Sequence, residues 1–236
     1  MENGRGPAVV APAPQSWQGW GAMWENRVLF IDAEALVIDK PAGLAVHAGP
    51  KTPYSLDEHL PALRFGFHRP PSPVHRLDRD TSGCLLLSRN PKAHRRFAKA
   101  FEEGRVEKAY LAVLDGVLEG EGAIDMPLLK RSSREEGWRM FADPAGQQAR
   151  TRWRAIRTDE GRTLVSFEPE TGRTHQIRAH AAYALEAPVI GDPVYGKAGP
   201  AMLLHAAALT LPRESKAPIA ATSPLPAAFG RFRDEG

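Results

Sequence analysis

The sequence holds a single cysteine, Cys84, among 236 residues. That excludes an intramolecular disulfide and every thiolate zinc cluster, both of which need several cysteines, so chemistry falls to other side chains. No run of 18 apolar residues occurs, and Pro7, Pro12 and Pro14 interrupt the early Ala/Val stretch, which leaves no membrane span or signal-type apolar segment to read. A cytoplasmic location without membrane contact is the expectation. Also missing are a Gly-x4-Gly-Lys-Ser/Thr phosphate loop, a Gly-x-Ser-x-Gly elbow and a His-Glu-x-x-His helix. The eight histidines are dispersed, and His175 and His180, five apart on one predicted helix, do not share a face well enough to ligate one metal. Neither a metal nor a cofactor is expected.

What is present fits a folded chain. Hydrophobic residues are 42% and charged residues 25%, the balance of a globular protein of one or two domains with a sizeable core. The net charge is +3, yet residues 61 to 110 alone carry eleven Lys/Arg against five Asp/Glu, a net of +6 that leaves −3 for the remainder. Such a block suits a polyanion, because neutralised phosphates release counterions. On charge alone it equally suits a solvated helix face.

Seven Gly/Pro and three tryptophans (Trp17, Trp20, Trp24) fall in residues 1 to 26. We read this as an irregular tail whose tryptophans can pack back onto a domain spanning residues 27 to 232. Val28 to Ile31 and Leu36 to Ile38 flank turn residues as a hairpin. Cys84 to Ser88 is a continuous apolar run, as in a strand buried on both faces. Asn90 then caps a helix with Pro91 at its first position, an apolar Phe97/Phe101 pair and Gly104 beyond its end. It carries Lys92, Arg95, Arg96 and Lys99. Val106 to Leu114 alternates as a strand with Val106, Lys108, Tyr110, Ala112 and Leu114 on one face, and Arg150 to Ile156 pairs with Thr163 to Phe167. Thr174 is positioned to cap a second helix running to about Leu185, with His175 and Arg178 as i,i+3 neighbours. The segment from Pro212, with Ile219 and Phe229, adds a late edge strand before fraying. Strands outnumber helices without regular alternation, which predicts an α+β fold with a mixed, largely antiparallel β-sheet core flanked by helices.

The densest constellation is His75-Arg76-Leu77-Asp78-Arg79-Asp80-Thr81-Ser82-Gly83, a polar turn delivering into the buried strand. Taken singly, Asp78 reads as a turn aspartate, Tyr110 as a half-buried strand tyrosine and Arg178 as a surface helix arginine. An Asp-x-Asp-x-Thr phosphatase nucleophile is missed by one residue, since Thr81 follows Asp80 directly.

His75-Arg76-Leu77-Asp78 with Thr81-Ser82-Gly83 resembles the signature of RluA-type pseudouridine synthases. Further blocks agree in order: Asp39-Lys40-Pro41-Ala42-Gly43-Leu44, Lys108-Ala109-Tyr110, Gly172-Arg173-Thr174-His175-Gln176-Ile177-Arg178 and Leu203-Leu204-His205-Ala206. The resemblance covers roughly residues 27 to 211. It implies the pseudouridine synthase fold with a central RNA-binding cleft, in a compact member without an S4-type RNA-binding domain, and isomerisation of uridine in structured transfer or large-subunit ribosomal RNA without a cofactor. It implies Asp78 as the essential carboxylate, acting on the sugar as nucleophile or as base at C2′. Arg178 would pair with it, and Tyr110 would stack under the base and assist loss of the C5 proton. Arg76 would fill the vacancy left by the flipped base, with Lys108, His175 and Leu204 also meeting the RNA or its uridine. Independently of the resemblance, the charge distribution points to Lys92, Arg95, Arg96 and Lys99 as tracking phosphates. RNA is the expected partner, with no obligate protein partner and a monomeric state. An inactive RNA-binding module, or a magnesium-dependent phosphohydrolase using Asp78 and Asp80, are the competing readings.

Overall fold

The computed structural model describes residues 24–49, 52, 54–133 and 137–233. Trp17 and Trp20 lie outside them, whereas Trp24 is fully buried in the core. β1 (Val28–Ile31) and β2 (Ala35–Lys40) form the expected hairpin. Its turn closes because Asp32 Oδ1 accepts the backbone N–H groups of Glu34 and Ala35, both at 2.8 Å, the local bonding that makes aspartate a turn residue.

After the short β3 (Ser72–Pro73) comes β4 (Ser82–Ser88), buried at every position. Its apolar run does not alternate because both faces are covered. Cys84 and Leu86 pack beneath α1 (Pro91–Glu102), while Leu85 and Leu87 meet Leu36, Ile38 and Trp24 on the opposite side. α1 begins where the Asn90 side chain accepts the Ala93 N–H at 2.8 Å and Pro91 presets the first turn. It buries Ala93, Phe97 and Ala100.

β5 (Glu107–Leu114), β6 (Glu121–Asp125), β9 (Arg150–Asp159), β10 (Arg162–Pro169), β11 (Leu204–Arg213) and β12 (Lys216–Thr222) complete the main sheet, which runs β1-β2-β4-β11-β5-β10-β9-β6, with β12 added on β11 and β3 on β4. β4 and β11 are parallel and the other pairs antiparallel, as the mixed, largely antiparallel reading requires. Gly83 makes the parallel contact possible: at φ +107°, a Cβ there would lie 2.2 Å from the Ala206 carbonyl oxygen. Only glycine tolerates both the backbone and the approach.

Between β6 and β9 the chain forms a separate two-stranded ribbon, β7 (Leu128–Ser133) with β8 (Gly137–Ala142). The helix α2 (Gln176–Tyr183) lies between this ribbon and β10. Three expectations need correction. Thr174 does not cap α2: the residue before the helix is His175, in the left-handed region at φ 52°, with no side-chain cap bond, and α2 ends at Tyr183. The Gln176 side-chain oxygen instead accepts from the Arg173 N–H and the Thr171 hydroxyl. Val106 leaves the Tyr110 face and packs in the cluster under α1, because it precedes the strand itself. After β12 the chain does not fray at once, since Phe229 and Phe232 bury against Val113 and Leu164.

Candidate active site

Asp78 occupies the turn before β4, closed by the Thr81 N–H donating to the Asp78 carbonyl at 3.2 Å. The turn is gripped from behind by Lys40, wholly buried at the end of β2. Its Nζ donates to the carbonyls of Pro41 at 2.8 Å, Leu44 at 2.7 Å and Arg79 at 3.1 Å. Burial pushes the Lys40 amine down to about 7, opposed by the carboxylates of Asp80, Asp78 and Asp39. The three carbonyl acceptors match the three hydrogens of an ammonium, the form this geometry holds.

From α2, a hundred residues later, Arg178 donates its Nη1 to Asp78 Oδ2 at 2.9 Å. Its remaining donors form a fork on Asp192, Nε to Oδ2 at 2.6 Å and Nη2 to Oδ1 at 2.7 Å. Asp192 is fully buried. Burial alone would raise its pKa, but the Arg178 hydrogen bonds and charge, with the amides of Val194 and Tyr195, bring it below the usual carboxylate range. Arg178 is held above its ordinary value despite burial, by its bonds to Asp192 and the charges of both aspartates. A planar five-donor side chain is what two carboxylates in fixed directions require. Gly191 permits this turn: at φ +80° a Cβ would lie 1.8 Å from the Ala201 carbonyl oxygen.

Asp78 opens on a cleft of about 590 Å³. Arg76, Lys108, Tyr110, His175, Arg178 and Leu204, separated by up to 128 positions in the chain, all line it with Asp78. Leu204 packs in the same cluster as Tyr110. Burial, then the charge of Asp78, holds the Tyr110 phenol well above its ordinary pKa, so its resting form is neutral. Burial lowers the Lys108 amine. His175 Nε2 stands 3.7 Å from Asp78 Oδ2 while its Nδ1 meets the Tyr195 hydroxyl at 3.1 Å. Burial depresses its pKa against the pull of Asp78. Arg76 is exposed. Asp80 is turned to its neighbour: both carboxylate oxygens bond Arg79, at 3.0 and 3.1 Å.

Lys92, Arg95, Arg96 and Lys99 are on α1 but do not line the cleft, which α1 borders only through Phe101 and Glu102. Arg96 pairs with Glu34 at 2.6 Å and Lys99 with Glu103 at 3.6 Å. Asp192 and Tyr195 escape a reading of the sequence. Gly191-Asp192-Pro193 signals a turn, and no spacing rule links it to Arg178.

The first histidine of the signature is structural. His75 Nε2 accepts the Leu86 N–H at 3.0 Å, and its ring stacks on Phe101 with centroids 4.6 Å apart. Burial and the Lys108 charge push it down to about 3, against a bond to the Arg76 backbone. His59, His175, His180 and His205 are also lowered, each chiefly by burial. In the unfolded chain these rings protonate near their ordinary pKa of about 6.5. Below that pH the unfolded state binds more protons than the folded state, so stability is complete above it and falls as pH falls toward 3. The urea midpoint is therefore expected to drop between pH 7.5 and 5, and His75→Gln, which keeps an acceptor for Leu86, to show a shallower drop. A flat midpoint over that range would contradict neutral burial.

Comparison with known proteins decides the class. Residues 34–183 match the family described as RNA pseudouridylate synthase. This chain belongs to that family. An uncharacterised RNA pseudouridine synthase of Zymomonas mobilis is 56% identical over 209 residues, covering 86% of this chain and 95% of that protein. The ribosomal large subunit pseudouridine synthase C of Buchnera aphidicola is 37% identical over 175 residues, 74% of this chain and 55% of the relative, so the chain spans about half of that protein's length. The solved structure of human RNA pseudouridylate synthase domain containing 4 superposes with a TM-score of 0.74 at 24% identity, over 91% of this chain and 92% of that one, a likeness of fold. The RluA-type resemblance of the signature blocks thus holds, and the pseudouridine synthase is an isomerase.

Proposed function

We propose that this pseudouridine synthase isomerises a uridine in structured RNA, ribosomal or transfer, with Asp78 as its catalytic carboxylate. The observation that carries this is the Asp78–Arg178–Asp192 arrangement at the floor of the cleft. Arg178 and His175 both address Asp78 Oδ2. Oδ1 takes no hydrogen bond among the described residues and is the oxygen left for substrate.

The reaction breaks the N1–C1′ bond, turns the base and joins C5 to C1′, with the C5 proton lost and one proton taken up at N1. Its atoms balance without an oxidant, a reductant or added water. Asp78 Oδ1 meets the sugar, as nucleophile at C1′ or as base at C2′. Tyr110, a neutral phenol beside Leu204, supplies a stacking floor for the detached uracil. A neutral phenol removes the C5 proton only by first passing on its own. The target base must leave its stack, which costs a few kcal/mol and is easiest in loops. Arg76, exposed at the cleft, takes the vacancy with its planar guanidinium. Unmodified large-subunit ribosomal RNA and transfer RNA, incubated with the protein and mapped by carbodiimide-dependent reverse-transcription stops, should each be scored for new pseudouridine. Stops in neither RNA would overturn the substrate reading.

If α1 tracks phosphates outside the cleft, Arg95→Ala with Arg96→Ala should weaken binding of all RNAs alike. The slope of log affinity against log salt should flatten by about 0.7 to 0.9 for each phosphate no longer neutralised. Arg76→Ala should cost turnover more than affinity, and recover in part when the target uridine is already unpaired. An unchanged slope in the double variant would leave α1 a solvated face whose Arg96 serves Glu34.

A further inference from the structure

The β7–β8 ribbon places a large aromatic on His175, the ring that stands 3.7 Å from Asp78. Trp138 is 42% exposed. On β8 it shares a face with Met140, and Met140 is buried with Leu128 against Ala149 and Ala179 of α2. Two residues nearer the tip of the ribbon, Trp138 lies over His175, with ring centroids 4.7 Å apart and planes at 28°. Lys130, on the neighbouring strand, brings its Nζ within 4.8 Å of the indole centre. The base of the ribbon is pinned to the site, because the Tyr195 hydroxyl accepts the Met140 N–H at 2.9 Å while bonding His175 Nδ1. Trp138 is thus an exposed aromatic on a fixed arm, joined to Asp78 through the His175 ring and flanked by cationic Lys130.

We infer that Trp138 is a nucleotide-stacking residue, its indole, which packs on the cleft-lining His175, taking the base of a nucleotide beside the target uridine. The inference rests on the RNA reading above. An exposed indole stacked on a ring that lines the cleft, with a lysine cation over it, is the chemistry of single-strand contact, where bases stack on aromatics without sequence demand and cations meet phosphates. The target nucleotide, drawn to Asp78, leaves its neighbours unstacked, and Trp138 receives one of them.

Decauridylate, a strand without structure of its own, is the probe. Trp138→Ala should weaken its binding by roughly 5- to 150-fold, the range expected when one base–aromatic stack is removed. Trp138→Phe should bind within about threefold of wild type, since a ring remains. The salt slope should be unchanged in both, because every phosphate partner is kept. Quenching of tryptophan fluorescence by the oligonucleotide should occur in the wild type and disappear in Trp138→Phe, and this comparison stands even if the alanine variant fails to fold. Wild-type affinity in Trp138→Ala, undiminished quenching in Trp138→Phe, or a defect confined to turnover would each overturn the inference. Tritium release by the wild type is scored separately: its absence would fell the isomerase reading, while the binding and quenching data would still decide Trp138.

Discussion

Asp78→Asn is expected to lower turnover by at least about 100-fold, the lower end of what a positioned carboxylate contributes, while leaving RNA binding and folding in place. Asparagine keeps the shape of the side chain, and its amide oxygen can still accept from Arg178 Nη1, so the Arg178–Asp192 fork is undisturbed. What disappears is the second carboxylate oxygen, Oδ1, which no described residue bonds. Asp80→Asn is the control. Both Asp80 oxygens are engaged by Arg79 at the surface, so only a modest loss is expected. Single-turnover measurement of both variants checks the assignment, and equal losses would refute it.

Arg178→Lys is expected to be nearly as damaging, although it keeps the charge. Arg178 uses Nε and Nη2 on Asp192 and Nη1 on Asp78, three donors in fixed directions that one ammonium cannot reproduce at the end of a flexible stem. Lysine must abandon one carboxylate. If it is Asp192, a fully buried carboxylate loses its main partner, and breaking such a pair costs about 3–5 kcal/mol. If it is Asp78, the carboxylate proposed for catalysis loses its direction. Either way kcat should fall by about 100-fold or more, as for an interaction made by a charged, bidentate group. RNA affinity should stay within about threefold, because the Arg178 side chain is only 6% exposed and offers RNA little surface. Asp192→Asn should move stability and kcat in the same direction. Wild-type kcat in the lysine variant, or a defect confined to affinity, would remove Arg178 from its positioning role.

Much of this arrangement is legible in the sequence because its signals are local. The Asn90-Pro91 start of α1 and the apolar run of β4 each follow from short-range rules, and the Asp78 and Arg178 blocks stand out by residue content. Their meeting, across a hundred residues, comes from the family resemblance and not from any spacing. Asp192 is invisible at that level because its importance is tertiary. Nothing near it in the chain announces a buried fork on Arg178. The β7–β8 ribbon is hidden for a different reason: residues 128–142 are dense in charge, and the apolar positions that pack it on α2, Leu128 and Met140, are too few to stand out as a strand pattern. Thr174 has the hydroxyl that favours a cap position, yet the left-handed His175 and the Gln176 side chain close that end of the helix. The +6 block divides in the structure, with Arg76 and Lys108 in the cleft and the α1 cations outside it.

The most direct test of the account is tritium release from RNA labelled at uridine C5, run with and without chelator on unmodified transfer and large-subunit ribosomal RNA. Replacing the C5–H bond by C5–C1′ releases one tritium for each pseudouridine formed. The wild type should release tritium stoichiometrically, unaffected by chelator, and Asp78→Asn, which still binds the RNA, should release none. RNA binding without tritium release would make the chain an inactive binding module, and magnesium-dependent phosphate release in its place would make it a hydrolase. Either result would contradict the account.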